Sequence, residues 1–491
     1  MTLKVLSVAS EAVPLVKTGG LADVVGAMPA ALSPHGVDVT TLLPGYPAVI
    51  STLRRPRVLH SWPSLVGTPA RLLAGDLDDK GHALFVLDAP SLYAREGAPY
   101  TDAAGRDWGD NWQRFAALGR AAADIAGSAI LKRGKSQQFD LVHAHDWQAA
   151  LAPAYLRFAP HGAEGRRPSV ITIHNMAFQG WSGPEVFPRL GLPPEAWALD
   201  GVEYHGGVGM LKAGLSCADA VTTVSPTYAR EIRSAAFGMG LEGLIVERGD
   251  AVHGILNGID AQVWNPATDV ALPYRYGHRT LERRRLNKRD LEAEFGLDPS
   301  VEGDGPLFIV VTRLTWQKGM DVLCEAIDHL VGIGGRLALL GSGDAAIERA
   351  LFDAAARHPG RVGIRIGYDE ALSHRMQGGG DAILIPSRFE PCGLTQLYGL
   401  AYGCLPVVAS TGGLADTVID ANPAALAANC ATGIQFTGVN YDGLAAALSR
   451  TVALYRQPQV WQRMQKNAMK CDFSWKASGK AYAELYAALS A

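Results

Sequence analysis

Cysteine is sparse in this chain, and no two cysteines stand at the spacing of a metal knuckle. Six occur, at Cys217, Cys324, Cys392, Cys404, Cys430 and Cys471, and none form a CxxC pair. That argues against a zinc site and against a dense disulfide scaffold, and makes reduced cytosolic thiols the expectation. Long hydrophobic runs are also missing. No stretch approaches the roughly 20 apolar residues that a membrane helix needs. The most apolar one, LYGLAYGCLPVVA, is broken by two glycines and a proline. The run before Glu11 is too short for a secretory h-region and reads as a first strand. A strong charge of either sign is lacking too. The net charge of −3 argues against nucleic-acid binding as the main task, which needs a strongly basic face. It leaves room for a small anionic ligand held by a local cluster of cations.

What is present is bulk and alternation. The chain has 491 residues, 48% hydrophobic and 19% charged, enough for about two to four well-buried domains. Short β-branched runs alternate with helical patterns. LKVLSVAS, VDVTTLLP, ALFVLDA, DLVHAH, SVITIH, ADAVTTV and VHGILNG read as strands, with a helix from Leu21 to about Leu32 and another over NWQRFAALGRAAADIAGSAI. After a charged stretch between Asn265 and Pro306 the pattern restarts with LFIVVTR, GRLALLGSGD, RVGIRIG, DAILIPSRFEP and CLPVVAS. Apolar strands between helices mean parallel sheets covered on both faces. The class is α/β, with two doubly wound domains. The first spans 1–255 and is completed by 471–491; the second spans 256–470. The RRR run in LERRRLNKRD reads as a solvated helix face. Ligands of such sheets bind at the carboxyl ends of the strands, so motifs just after strands carry the information.

Six residues, TGGLAD, occur twice, at Thr18–Asp23 and at Thr411–Asp416. The first copy follows strand one and opens a helix. Adjacent glycines let N–H groups approach a ligand, a helix N-terminus favours anions, and Lys17 adds a full charge. The same residues would equally serve a tight turn with a surface lysine. The loop is neither GxGxxG nor GxxxxGK[ST]. HAHDW ends a strand. Its two histidines flank a residue on the other face and have no third ligand nearby, so a polar cleft edge with one buried histidine is expected. Asp146 and Trp147 suit sugar recognition, through hydroxyl hydrogen bonds and an indole face. TIHNMAFQGWSG puts His174 and Asn175 at another strand end. In VTRLTWQKG, Arg313 and Lys318 follow the first strand of the second half and would make a good diphosphate clamp, the alternative being a pair of surface cations. In SRFEPCGLTQLYGL, Glu390 precedes a helix starting near Gly393, where Gly393, Leu394 and Thr395 present free N–H groups. DLDDKG contains Asp-x-Asp, but between RLLAG and HALFVLD it reads as a hairpin turn, not a metal pair.

Taken in order, KTGGLADV, LLPGYP, DAPSLY, HAHDWQ, TIHNMAFQG, SPTYAREI, HGILNGID, TRLTWQKG, IGYDEALSHRMQ, PSRFEPCGLTQ and TGGLADTV resemble the bacterial glycogen synthase and plant starch synthase family almost end to end. The resemblance implies a GT-B fold: two Rossmann-like domains facing a deep cleft, with the last helix crossing back to the first. It implies transfer of glucose from ADP-glucose to the non-reducing 4-OH of an α-1,4-glucan, with retention, in the cytoplasm, and with no metal or other cofactor. It places Lys17, Gly19, Gly20 and Asp23 over the donor, Arg313 and Lys318 on the diphosphate, and Glu390, Cys392 and Gly393 around the glucose hydroxyls. Thr395, Thr411 and Gly412 fall near phosphate, His174 at the anomeric centre, and Asp146, Asn175 and Asn257 around the transferred sugar. Tyr368 falls where an aromatic residue packs on adenine, and Tyr93 and Trp147 are acceptor-side candidates. Trp316 stands where smaller residues also occur in the family. A UDP-glucose-using glucan synthase, a sugar-nucleotide epimerase and a non-catalytic glucan-binding protein are the alternatives. FEPCGLTQ speaks against the epimerase, and the intact clamp against mere binding.

Overall fold

The computed structural model describes residues 2–54, 56–102, 105–127, 138–158, 166–299 and 305–490. Residues 128–130 of the expected long helix, and residues 300–304 of the charged stretch, lie outside them. The chain divides into two compact units, Met1–Asn257 with Trp475–Ala491, and Gly258–Ser474. The sequence reading puts these changes at 255/256 and 470/471.

The first unit carries a nine-stranded sheet. Its order is Val252–Gly254, Ala220–Thr223, Ser169–Ile173, Leu141–His145, Leu3–Val8, Val37–Pro44, Ala83–Asp88, Thr68–Asp76 and Arg57–Leu65. The strands from Val252–Gly254 to Ala83–Asp88 pair in parallel, and the last two add antiparallel pairs at one edge. The sheet is therefore mixed, not purely parallel. Arg57–Leu65 was not anticipated, because its residues are mostly exposed and contain Pro63, as suits an edge strand. The expected hairpin over DLDDKG is present, with Asp76 opposite Ala83. The helix Gly20–Leu32 follows the first strand, and Trp475–Leu489 lies beside it. Tyr482 and Tyr486 of that last helix are buried with Val5, Val24 and Met28, which makes it part of the first unit's core.

The second unit has six parallel strands. Their order is Val362–Ile366, Arg336–Gly341, Leu307–Val311, Ala382–Ile385, Leu405–Ala409 and Ile434–Phe436. In chain order that reads 3-2-1-4-5-6, the doubly wound arrangement, with its switch point between the first and fourth strands. In the first unit the order reverses between Leu3–Val8 and Leu141–His145. Each switch point leaves a crevice beyond the carboxyl ends of two neighbouring strands, where loops turn away to opposite sides.

Candidate active site

The second unit's switch point carries the densest chemistry. Leu307–Val311 ends just before Arg313 and the turn Trp316–Lys318, and Ala382–Ile385 ends just before Ser387 to Glu390. The two strands are hydrogen-bonded neighbours, so their loops meet. Lys318 Nζ lies 2.6 Å from Glu390 Oε2. The Ser387 hydroxyl donates to the same oxygen at 2.8 Å. Arg313 is exposed and forms no ion pair among the described residues. One cation is thus committed to a carboxylate, and one stands open to an anion.

The second TGGLAD loop is built into this site. Gly413 N–H donates to the carbonyls of Glu390, at 3.1 Å, and Pro391, at 3.2 Å. Gly412 has φ +44°, and a Cβ there would collide with the Glu390 carbonyl, so only glycine allows the two segments to cross. Thr411, Cys392 and Glu390 are all buried. The helix Thr395–Tyr402 begins after Leu394 with no side-chain cap, leaving its first amides without a side-chain acceptor. Gln396 was not foreseen. Its amide donates to the carbonyls of Cys392 and Gly393, both at 2.9 Å, and to Thr417 Oγ1 at 3.3 Å. It ties the FEPCG turn to the second glycine loop, which glutamine at a helix start does not announce. Tyr368 follows the edge strand Val362–Ile366, is 76% exposed, and donates its hydroxyl to Glu370 at 2.8 Å.

The first unit's switch point gathers the histidines. His143 Nδ1 pairs with the Tyr486 hydroxyl at 2.7 Å, and its Nε2 with Thr172 Oγ1 at 2.6 Å. His145 Nδ1 lies 3.1 Å from His174 Nε2, and its Nε2 lies 3.2 Å from Ser7 Oγ. Both histidines of HAHDW are buried, where one was expected, because the strand Leu141–His145 is central and covered on both faces. Burial pushes His143 down to about 3, and it lowers His174 to about 3 as well. Near neutral pH these are uncharged rings. Asp146 accepts the His174 N–H at 2.6 Å. Burial raises its carboxyl to about 7, against the lowering effect of the His174 and Asn175 amides. Asn175 Oδ1 accepts the Ala177 N–H at 3.0 Å, closing the HNM turn. Asn257 Oδ1 is buried and has no hydrogen-bond donor among the described residues.

The first TGGLAD loop is engaged with its own chain. Lys17 Nζ pairs with Asp23 Oδ1 at 2.8 Å. The buried Glu11 carboxylate accepts the Thr18 N–H, the Thr18 hydroxyl at 2.6 Å, the Gly19 N–H at 3.3 Å and the Tyr100 hydroxyl. The Thr18 and Gly19 amides are therefore capped by Glu11, and Asp23 serves Lys17. No sequence pattern marks Glu11, because its partners lie as far away as Tyr100. Gly19 has extended backbone, with open space where a Cβ would stand. Gly20 opens the helix beside it.

The two acceptor-side candidates differ in exposure. Tyr93 is 0% exposed, and its hydroxyl donates to the Arg114 carbonyl at 2.6 Å. It backs a cavity of about 530 Å³ lined by Val16, Tyr46, Pro47 and the loop from Ala94 to Pro99, but offers no open ring to a sugar. Trp147 is half-buried, edge-on to Phe115 with ring centres 4.9 Å apart, and it packs on Gly180. Part of its ring is therefore covered by protein. The RRR run is also corrected. Arg283 and Arg285 are solvated, but Arg284 is buried and donates to the carbonyls of Gln377, Gly380 and Tyr402. Asp78 is occupied by the turn, accepting the Lys80 N–H at 3.0 Å and pairing with His82 Nδ1 at 2.7 Å.

Residues 4–247 match the family profile described as starch synthase catalytic domain, and residues 298–470 match glycosyl transferases group 1. The chain is 70% identical to the glycogen synthase of Novosphingobium aromaticivorans, over 100% of this chain and 99% of that one. It is 56% identical to glycogen synthase 1 of Rhizobium meliloti, over 100% of both. The chain belongs to the glycogen synthase family. It is a glycosyltransferase of the GT-B class. The catalytic domain of starch synthase IV from Arabidopsis thaliana, solved bound to ADP and acarbose, superposes with a TM-score of 0.87 at 32% identity, covering 100% of both chains. A sucrose-phosphate synthase from Thermosynechococcus elongatus, at 17% identity and a TM-score of 0.60 over 99% of each chain, shares the fold. No described helix is long and apolar enough to cross a membrane.

Proposed function

We propose that the chain elongates an α-1,4-glucan, transferring glucose from ADP-glucose to the non-reducing 4-OH with retention of configuration. The observation that carries this reading is the second unit's switch point, where an open Arg313 stands beside a Lys318–Glu390 pair and two glycine-bearing turns. Arg313 and Lys318 would take the diphosphate and stabilise the charge on the departing ADP, a task fixed cations perform in a dry site. Glu390, fastened by Lys318 and Ser387, would hold glucose hydroxyls. With Glu390 assigned to the sugar hydroxyls, no carboxylate of this turn is assigned as a nucleophile. A same-face reaction, with the leaving phosphate taking the proton of the incoming hydroxyl, fits better than a covalent sugar on the enzyme. Neutral His174 would face the anomeric centre, Tyr368 the base, and Asn257 with its buried, unpaired oxygen a sugar hydroxyl. The two cations supply the positive charge, so turnover is expected without a metal. The place is the cytoplasm, consistent with six unpaired cysteines.

The test is nucleoside diphosphate release from ADP-glucose and from UDP-glucose, each with and without glycogen and with excess EDTA. Release from ADP-glucose that requires glycogen and ignores EDTA is the expected result. A preference for UDP-glucose would move the donor assignment. Turnover abolished by EDTA would overturn the role given to the cations.

A further inference from the structure

Lys318 sits on a single turn between a strand end and a helix, and its ammonium is paired with Glu390, 2.6 Å away. Engaging an anionic ligand means sharing or leaving that partner. Something else must then keep the turn where it is.

Arg388 is placed to do so. It lies two residues before Glu390 on the neighbouring strand end, and it grips the TWQKG turn at several points. Its backbone N–H donates to the Gln317 carbonyl at 2.9 Å. Its Nη1 donates to the Trp316 carbonyl at 2.6 Å. Nη1 and Nη2 reach Asp321 Oδ1 and Oδ2, each at 2.7 Å, in a two-pronged pair with the first turn of the helix Met320–Gly332. The guanidinium lies over the Trp316 indole, 4.4 Å from the ring centre. Trp316 is 61% exposed, and this cation covers one side of it. From the other direction, Gln317 Nε2 donates to the Phe389 carbonyl at 3.3 Å. Arg388 also holds the Asp321 carboxyl below its usual range, so the pair stays ionised at neutral pH.

We propose that Arg388, clasping Asp321 and Trp316, is a positioning residue that fixes the Lys318 turn against the Glu390 turn. It does not touch the ligand. The bracket holds the backbone of Lys318 while its ammonium exchanges Glu390 for the donor's diphosphate. Its fork is specific to arginine, because a lysine cannot meet both Asp321 oxygens and the Trp316 carbonyl while lying flat on an indole. This rests on the clamp assigned to Lys318 above.

The test is a cycle of four proteins: wild type, Arg388→Ala, Lys318→Ala and the double variant. Arg388→Lys and Asp321→Asn are added, and ADP release and thermal unfolding are measured for all. With wild type active, Arg388→Ala is expected to lower kcat by up to about 10²-fold, the scale of a misplacement of the order of 1 Å. KM for glycogen is expected to stay within about twofold. Arg388→Lys should not rescue, and Asp321→Asn should fall between. In the Lys318→Ala background, removing Arg388 should cost less than about threefold more. An equal loss in both backgrounds, or full activity in Arg388→Lys, would overturn the proposal. A wild type that releases no ADP would instead sink the functional reading, and the two failures are distinct.

Discussion

Lys318 and Asp146 show what single side chains are set to do. Lys318→Ala removes a cation from the anion site and leaves Glu390 buried with, among the described residues, Ser387 as its side-chain donor. The expected loss is about 10²- to 10³-fold in kcat, the scale of deleting one preorganised charge-stabilising donor, read from ADP release. Asp146 predicts a pH dependence of opposite sense to an ordinary carboxylate. Its folded pKa, about 7, is raised above the unfolded value of 3.8. Between those values the folded protein keeps a proton that the unfolded chain has lost. This group's contribution is therefore full below about pH 4 and shrinks as pH rises to about 7, by up to roughly 1.4 kcal/mol per unit. His143 has the reverse sign, since a folded pKa of about 3 against 6.5 costs stability as pH falls below 6.5. Urea unfolding of wild type and Asp146→Asn from pH 4 to 8 separates the two. The variant should lose the decline toward pH 7 and keep the acid-side loss. An unchanged profile would refute the assignment to Asp146.

At the scale of turns and strands, the turn that carries Lys318 and the first glycine loop should respond differently to the same substitution. Gly319, in the turn that carries Lys318, has φ +67°, and a Cβ there would collide with the Pro386 carbonyl. Gly319→Ala should therefore cost about 1–3 kcal/mol in unfolding free energy and pull the clamp turn off the Glu390 turn, lowering kcat as well. Gly19 has extended backbone and open space around it, so Gly19→Ala should leave the melting temperature unchanged. If its donor role holds, KM for the sugar nucleotide rises all the same. Thermal unfolding and steady-state kinetics on the two variants read this contrast. What was legible here is position along the chain. The helix expected from Leu21 to about Leu32 is Gly20–Leu32, because a glycine-opened apolar run stopped by Pro34 and Gly36 carries its own boundaries. The partners were not legible. Glu11 capping Thr18, Gln396 joining two turns and Arg284 buried among carbonyls each depend on residues far away in sequence.

For the molecule as a whole, the final helix is the informative element. Trp475–Ala491 belongs with Met1–Asn257, and Tyr486 joins the strand core through His143. Tyr486→Ala should destabilise the first unit by about 3–5 kcal/mol, as deleting a buried aromatic ring does, with an added cost for the buried His143 Nδ1 that loses the Tyr486 hydroxyl. Differential scanning calorimetry should show the loss. Tyr486→Phe, which keeps the ring, should lose about 1 kcal/mol.

The sequence by itself determined the α/β class, the two strand–helix alternations and the order of the motifs. Those follow from apolar periodicity and from glycine and proline at turns, which act over a few residues. It also placed Arg313, Lys318 and Glu390 after strands, where the two neighbouring strands of the second unit bring them together. Only the tertiary structure decided which polar groups are spoken for. Tyr93 became a core residue because its hydroxyl found the Arg114 carbonyl. Lys17 found Asp23, the first loop's amides found Glu11, and Arg313 was left open. A buried donor or acceptor must be matched, and its match is set by which strands lie side by side, not by which residues are neighbours along the chain.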